Sequence, residues 1–188
     1  MAYATYITEA IVCGSKDSNT ADRSYLLFTK DAGMLWASAR SVREEKSKQR
    51  QALQEFSLVR VSLVRGKTGW RVGSVESEGN YFLRARERSE RAFVQFVIRS
   101  LRRFLQGEEP VPAVFEDARR ILAATSKIKD FDQATDLWQL RLCDQLGYIS
   151  RQPSFTALLD GTIDGHLHEK VSKEGLRAIE QALSVSHL

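Results

Sequence analysis

SYLLFTKDAGMLWASAR, residues 24–40, decides the fold. Two apolar and aromatic runs, 24–30 and 34–42, flank the turn Lys30-Asp31-Ala32-Gly33. A glycine there supplies the positive φ that a tight hairpin needs, so the stretch reads as two antiparallel strands. Working outward, run 4–14 precedes the hairpin, and runs 56–65 and 70–75 follow it. The last two are joined by Arg65-Gly66-Lys67-Thr68-Gly69, a second hairpin. Between the third and fourth runs, REEKSKQRQALQE (43–55) is highly charged and lacks β-branched residues, so it is a loop or a short helix. Three strands, an excursion and two more strands is the layout of a five-stranded antiparallel OB-type β-barrel. Closure of such a barrel removes edge strands and leaves one face and its loops for a ligand. An SH3-like barrel is the alternative, and periodicity does not separate the two.

From Arg84 onward the period becomes helical. Phe93, Val97, Leu101 and Phe104 form one stripe, and Arg91, Gln95, Arg99, Arg102 and Arg103 line another face. Gly107, Pro110 and Pro112 end that helix. A second helix opens near Pro112, with Val114, Ala118, Ile121 and Leu122 facing inward. A third spans residues 132–146 and is apolar around much of its circumference, which makes it the buried centre. Residues 150–165 are weakly patterned, and a last helix runs from about 169 to 186. The expectation is an α+β chain: an OB-fold nucleic-acid-binding domain at 1–80 and an all-α helical bundle domain at 81–188.

The 188 residues are 43% hydrophobic and 28% charged, with 11 Gly and 3 Pro, which excludes collagen-like and low-complexity classes. Cys13 and Cys143 form no C-x-x-C pair, so neither a disulfide framework nor a Cys-based zinc site is expected, and a reducing cytoplasmic setting fits. Both read as small buried hydrophobes. No run approaches the ~20 apolar residues of a membrane span, and no secretory leader is expected at the N-terminus. The net charge of +4 is unevenly spread: residues 40–103 hold 16 Lys or Arg against 7 Asp or Glu. A basic middle on a slightly acidic frame fits a polyanionic partner, and a solvated face with scattered ion pairs is the other reading.

Phosphate-binding, nucleotide-binding, serine-hydrolase and metalloprotease motifs are all missing from the sequence, so no catalytic residue is assigned and no enzyme is expected. Asp160, Asp164, His166, His168 and Glu169 in DGTIDGHLHE are the one metal-like cluster. His166 and His168 at i, i+2 diverge on a helix, and polar linker residues are the favoured account over a metal-dependent nuclease. Nucleic-acid binding has better support. SARSVREEKSKQRQAL (38–53) puts Arg40, Arg43, Lys46, Lys48 and Arg50, with Ser41 and Ser47 as hydroxyl donors, at the end of the third strand and beyond it. Such a barrel rim would contact phosphates without reading bases. Tyr25, Phe28 and Trp36 lie on the strands leading there. Phe28 reads as core, while Tyr25 and Trp36 are open between core and stacking surface. Arg91, Arg99, Arg102 and Arg103 either extend the same field or solvate a helix face.

At these residues the chain resembles the RecO family of recombination mediators. YITEAIVCGSKDSNTADRSYLLFTKDAGMLWASARSVREEKSKQR (6–50) looks like that family's N-terminal OB domain, with Ala21-Asp22-Arg23, Leu27-Phe28-Thr29, the Gly33 hairpin and Lys46-Ser47-Lys48. DLWQLRLCDQLGYI (136–149) resembles a later helix, where an aromatic, Leu-Arg-Leu and Leu-Gly-Tyr recur. The resemblance implies a non-enzymatic DNA repair and recombination protein of the cytoplasm, associated with the nucleoid. Such a protein binds single- and double-stranded DNA, anneals complementary strands and assists recombinase loading with a RecR-like partner and single-strand-binding protein. The family's basic OB surface carries over to Arg40, Arg43, Lys46, Lys48 and Arg50. Many relatives carry a four-Cys zinc module after the Leu-Gly-Tyr helix. Here Ser150-Arg151-Gln152-Pro153 follows, so no zinc or other cofactor is expected. The alternative is an interaction adaptor on the same fold whose main ligand is a protein, such as the acidic tail of single-strand-binding protein.

Overall fold

The computed structural model describes residues 5–17, 22–40 and 48–185. Five strands, β1 (Thr5–Asp17), β2 (Arg23–Thr29), β3 (Gly33–Ala39), β4 (Ser57–Gly66) and β5 (Gly69–Asn80), close into an OB-like barrel in the order β1-β2-β3-β5-β4. Helix α1 (Lys48–Ala52) occupies part of the excursion before β4. One correction to the expectation concerns direction. β3 and β5 pair in parallel, through Ala37 with Trp70 and Ser38 with Arg71, so the barrel is mixed. The reason is parity: an odd number of strands around a closed ring cannot alternate everywhere. The other four pairings are antiparallel. β5 also runs past the expected end at Val75, because Glu76, Ser77 and Asn80 keep pairing with Arg60, Val59 and Ser57 of β4.

Strand alternation divides the apolar residues between two cores. Inside the barrel, Val12, Tyr25, Leu27, Leu35, Val61 and Trp70 pack with Leu53, which follows α1. On the opposite parity, Ile11, Cys13, Phe28 and Met34 face outward and enter a second core built by the helices. The Phe28 ring meets Phe115 edge-on at 5.5 Å. The helical core therefore crosses residue 80 and uses the outer wall of the barrel as one of its sides.

The helices are α2 (Tyr81–Arg84), α3 (Arg88–Phe104), α4 (Pro112–Ala123), α5 (Phe131–Gln145) and α6 (Lys173–Val185), with short 3-10 turns at Thr125–Lys127, Thr156–Leu159 and Ile163–His166. Phe93, Val97 and Leu101 of α3 are buried as their spacing requires. The Asn80 side chain caps α2, accepting from the Leu83 amide at 3.0 Å, and extended backbone at Ala85 and Glu87 separates α2 from α3. Pro112 opens α4 at its first turn, and the Asp130 carboxylate caps α5 by accepting from the Asp132 and Gln133 amides. α6 begins at Lys173 rather than near 169, where the Ser172 hydroxyl accepts from the Gly175 amide at 3.1 Å. Arg141 of α5 is 4% exposed and holds the segment after α5 in place. It donates to both Asp117 carboxylate oxygens and to the carbonyls of Leu158, Asp160 and Gly161.

Two links fix the barrel to the helices at the hairpin. Gly33 takes φ +67°, and its backbone lies so close to Glu109 that any side chain would collide with that residue's main chain. The Met34 amide donates to the Gly107 carbonyl at 2.9 Å, and Lys30 pairs with Glu116 of α4 at 3.0 Å. The same outward face of β2 and β3 continues away from the hairpin through Trp36, Ser24 and Ser38 to Arg71 at the start of β5.

Candidate nucleic-acid interface

The outward side chains of that face follow from the register. Lys16 pairs with Ser24, Ser24 with Ser38, and Ser38 with Arg71, which makes one row across β1, β2, β3 and β5. At a strand spacing of about 4.8 Å the two cationic ends of the row are roughly 14 Å apart at the backbone. The neighbouring row is Gly14, Leu26 and Trp36. Arg40 follows the end of β3, on the other side of Ser38 from Trp36 along the chain. Lys16, Ser24, Trp36, Ser38, Arg40 and Arg71 border a shallow concavity of about 360 Å³ that also includes Asp22, Thr68, Gly69 and Trp70.

Trp36 lies on this face with 41% of its surface exposed, whereas Trp70 and Trp138 are 7% and 1% exposed. The Lys16 ammonium sits over the Trp36 ring, its Nζ 4.1 Å from the centroid. Some of the chain's cations are held in ion pairs. Arg23 pairs with Asp17 at 2.9 Å, Arg65 with Glu108 at 2.7 Å, Arg119 with Glu116 at 2.8 Å and Arg151 with Asp144 at 2.8 Å. Among the described residues, Lys16, Arg40, Arg50 and Arg71 make no ion pair. An OB-like barrel presenting cations on its β2–β3 side, between the β1–β2 and β4–β5 connections, has the geometry by which this fold holds oligonucleotides.

The residues singled out from sequence divide as follows. Trp36 and Arg40 are on the face, and Arg50 is exposed on α1. Arg43, Lys46, Ser47 and the Lys48 side chain lie outside the described residues. Tyr25 is a correction: it is 2% exposed, inside the barrel opposite Ala37, and cannot offer its ring to a base. Burial pushes its phenol pKa up, against the pull of nearby Arg23. In the α3 stripe, Arg91 donates to the Ala85 carbonyl and lies over Phe82, which ties it to the helix's own start. Arg103 lies over Phe104. Arg99 is exposed, with nothing carrying it to the barrel. Arg102 does reach the barrel: its guanidinium carbon is 3.7 Å from where a Gly14 side chain would begin. Gly14 is the end of the row that contains Trp36, so Arg102 lies beside that row.

Lys16 and Arg71 were missed by sequence reasoning. The available signal was topological, since a closed five-strand ring in this order sets the start of β5 beside the end of β3. The DGTIDGHLHE cluster does not converge. His166 Nδ1 is 2.8 Å from Glu169 Oε1 and its Nε2 is 2.8 Å from the Asp160 carbonyl oxygen, while Asp164 faces Arg120 at 3.6 Å. Among the described residues, no group of three His, Cys, Asp or Glu could hold a metal ion, and no helix is long and apolar enough to cross a membrane.

Residues 1–78 match the family model for recombination protein O N terminal. A curated relative, DNA repair protein RecO of Dehalococcoides mccartyi, is 29% identical over 142 residues, which is 75% of this chain and 56% of that protein. The chain thus spans little more than half the length of the curated relative it matches.

Proposed function

We propose that this chain, whose residues 1–78 match the recombination protein O N-terminal model, acts as a DNA repair protein of the RecO family and binds DNA on the outer β2–β3–β5 face of the barrel. The observation that carries this reading is the cluster of Lys16, Arg40 and Arg71, free of ion pairs among the described residues, around one exposed tryptophan. Arg50 is exposed on α1, Arg102 lies beside Gly14 of β1, and in sequence the basic segment with Arg43, Lys46, Ser47 and Lys48 leads from Arg40 into α1. The mechanism is electrostatic and non-enzymatic. Phosphates displace counterions, two strands held on one cationic surface repel each other less, and complementary strands anneal. Single- and double-stranded DNA of any sequence are ligands. Recombinase loading, a RecR-like partner and single-strand-binding protein follow from the family.

The test is a labelled oligo-dT titration, followed by an annealing assay, on three proteins: native, a Lys16→Ala/Arg40→Ala/Arg71→Ala variant, and a Lys173→Ala/Arg177→Ala control on α6. The face variant is expected to lose binding and annealing together while the control keeps both. Equal losses in the two variants would assign binding to overall charge rather than to this face.

A second reading, an adaptor with a protein ligand, is favoured by one observation. A groove of about 410 Å³ lies between the end of α5 and α6, lined by Tyr148, Ile149, Ala178 and Ala182 among others. Tail-peptide binding at a salt concentration that abolishes DNA binding would support it.

A further inference from the structure

We infer that Trp36 is a stacking platform for one unpaired base, and that Lys16 covers its ring only until the base arrives. The inference rests on DNA binding at this face and specifies which form of DNA the face prefers. Trp36 is 41% exposed and Lys16 Nζ lies 4.1 Å from its ring centroid, so one face of the indole lies under a flexible side chain that a ligand can displace. Every base has a π-face, but in a duplex those faces are closed against their neighbours. A ring presented this way therefore gains contact only from an unpaired base.

The exchange of Lys16 for a base is favourable by magnitude. A cation over an exposed ring is worth roughly two- to fivefold in an equilibrium constant. A base on an aromatic ring is worth roughly 5- to 150-fold. The displaced ammonium is not wasted, because its flexible stem lets it move to a backbone phosphate. The register provides for the rest of the strand. Ser24 and Ser38 lie between Lys16 and Arg71 in one row, and Arg40 lies on the far side of that row from Trp36. A strand crossing the sheet thus meets cations and hydroxyls on its backbone side and one ring on its base side. Trp70, the other tryptophan bordering the concavity, is 7% exposed and belongs to the barrel core, so the face offers one platform.

The experiment compares a labelled oligo-dT and a blunt duplex of equal length by anisotropy across a salt series, for the native chain, Trp36→Ala, Trp36→Phe and Lys16→Ala. The expected result for Trp36→Ala is a roughly 5- to 150-fold loss on the single strand, less than twofold on the duplex, and an unchanged salt slope. Trp36→Phe recovers most of the single-strand affinity. Lys16→Ala lowers the single-strand log-log slope by about 0.7, the signature of one lost phosphate contact. Native tryptophan emission is quenched by the single strand and the quenching is lost in Trp36→Ala. Loss on both DNAs alike, or on neither, while the native chain binds both, would overturn the platform and leave the binding face standing. No binding of either DNA by the native chain would overturn the proposed function and the platform with it.

Discussion

Cys13 and Cys143 are each 1% exposed, and burial pushes their thiols up to about 12 and about 11. At neutral pH neither forms appreciable thiolate, so in the folded chain both are expected to stay unreacted with an aromatic disulfide reagent, and both to react once urea unfolds it. Rapid labelling of either thiol without denaturant would contradict that packing. Residue-level reading from sequence succeeded where polarity decides and stalled where parity does. The cysteines were legible as core because no histidine or basic side chain adjoins either, and Phe28 because an aromatic in a strand is more often core. Tyr25 and Trp36 look alike in a sequence, yet their odd and even positions in paired strands send one into the barrel and the other onto its face.

Glu116 of α4 is the element-scale link between barrel and helices, accepting from Lys30 on the hairpin at 3.0 Å and from Arg119 at 2.8 Å. The Arg119 guanidinium first, then Lys30, holds its carboxyl below the ordinary carboxylate range. A carboxylate depressed in the folded state adds stability at pH above its ordinary value and loses it as pH falls through the folded value. All three side chains are about a third exposed, so the contribution is at most about 1 kcal/mol. Urea midpoints measured from pH 7 to pH 3 are expected to converge for native and Glu116→Gln protein on the acid side. Parallel profiles would show that the link contributes nothing. The strands themselves were legible from apolar runs and glycine turns. The parallel β3–β5 pair and the extension of β5 were not, because both depend on partners distant in sequence. The helices were legible to within a few residues, and their starts were set by caps at Asn80, Asp130 and Ser172.

At the scale of the molecule, the barrel is one wall of the helical core. Ile11, Phe28 and Met34, toward the hairpin end of the barrel's outer face, join the helical core, which leaves the far end of β2 and β3 and the start of β5 to carry Trp36 and its cations. The charge excess counted over residues 40–103 pointed to a polyanion but not to its seat. Lys16 lies outside that span and Arg71 is remote from the basic loop; only closure of the barrel brings them together. Arg102 of α3 lies beside Gly14 of β1. The central claim is that phosphates are bound at this face, and the affinity of the native chain for oligo-dT as a function of salt tests it most directly. Four contacts, from Lys16, Arg40, Arg50 and Arg71, predict a log-log slope of about −3 on a single strand. An affinity unchanged from low to moderate salt would contradict it.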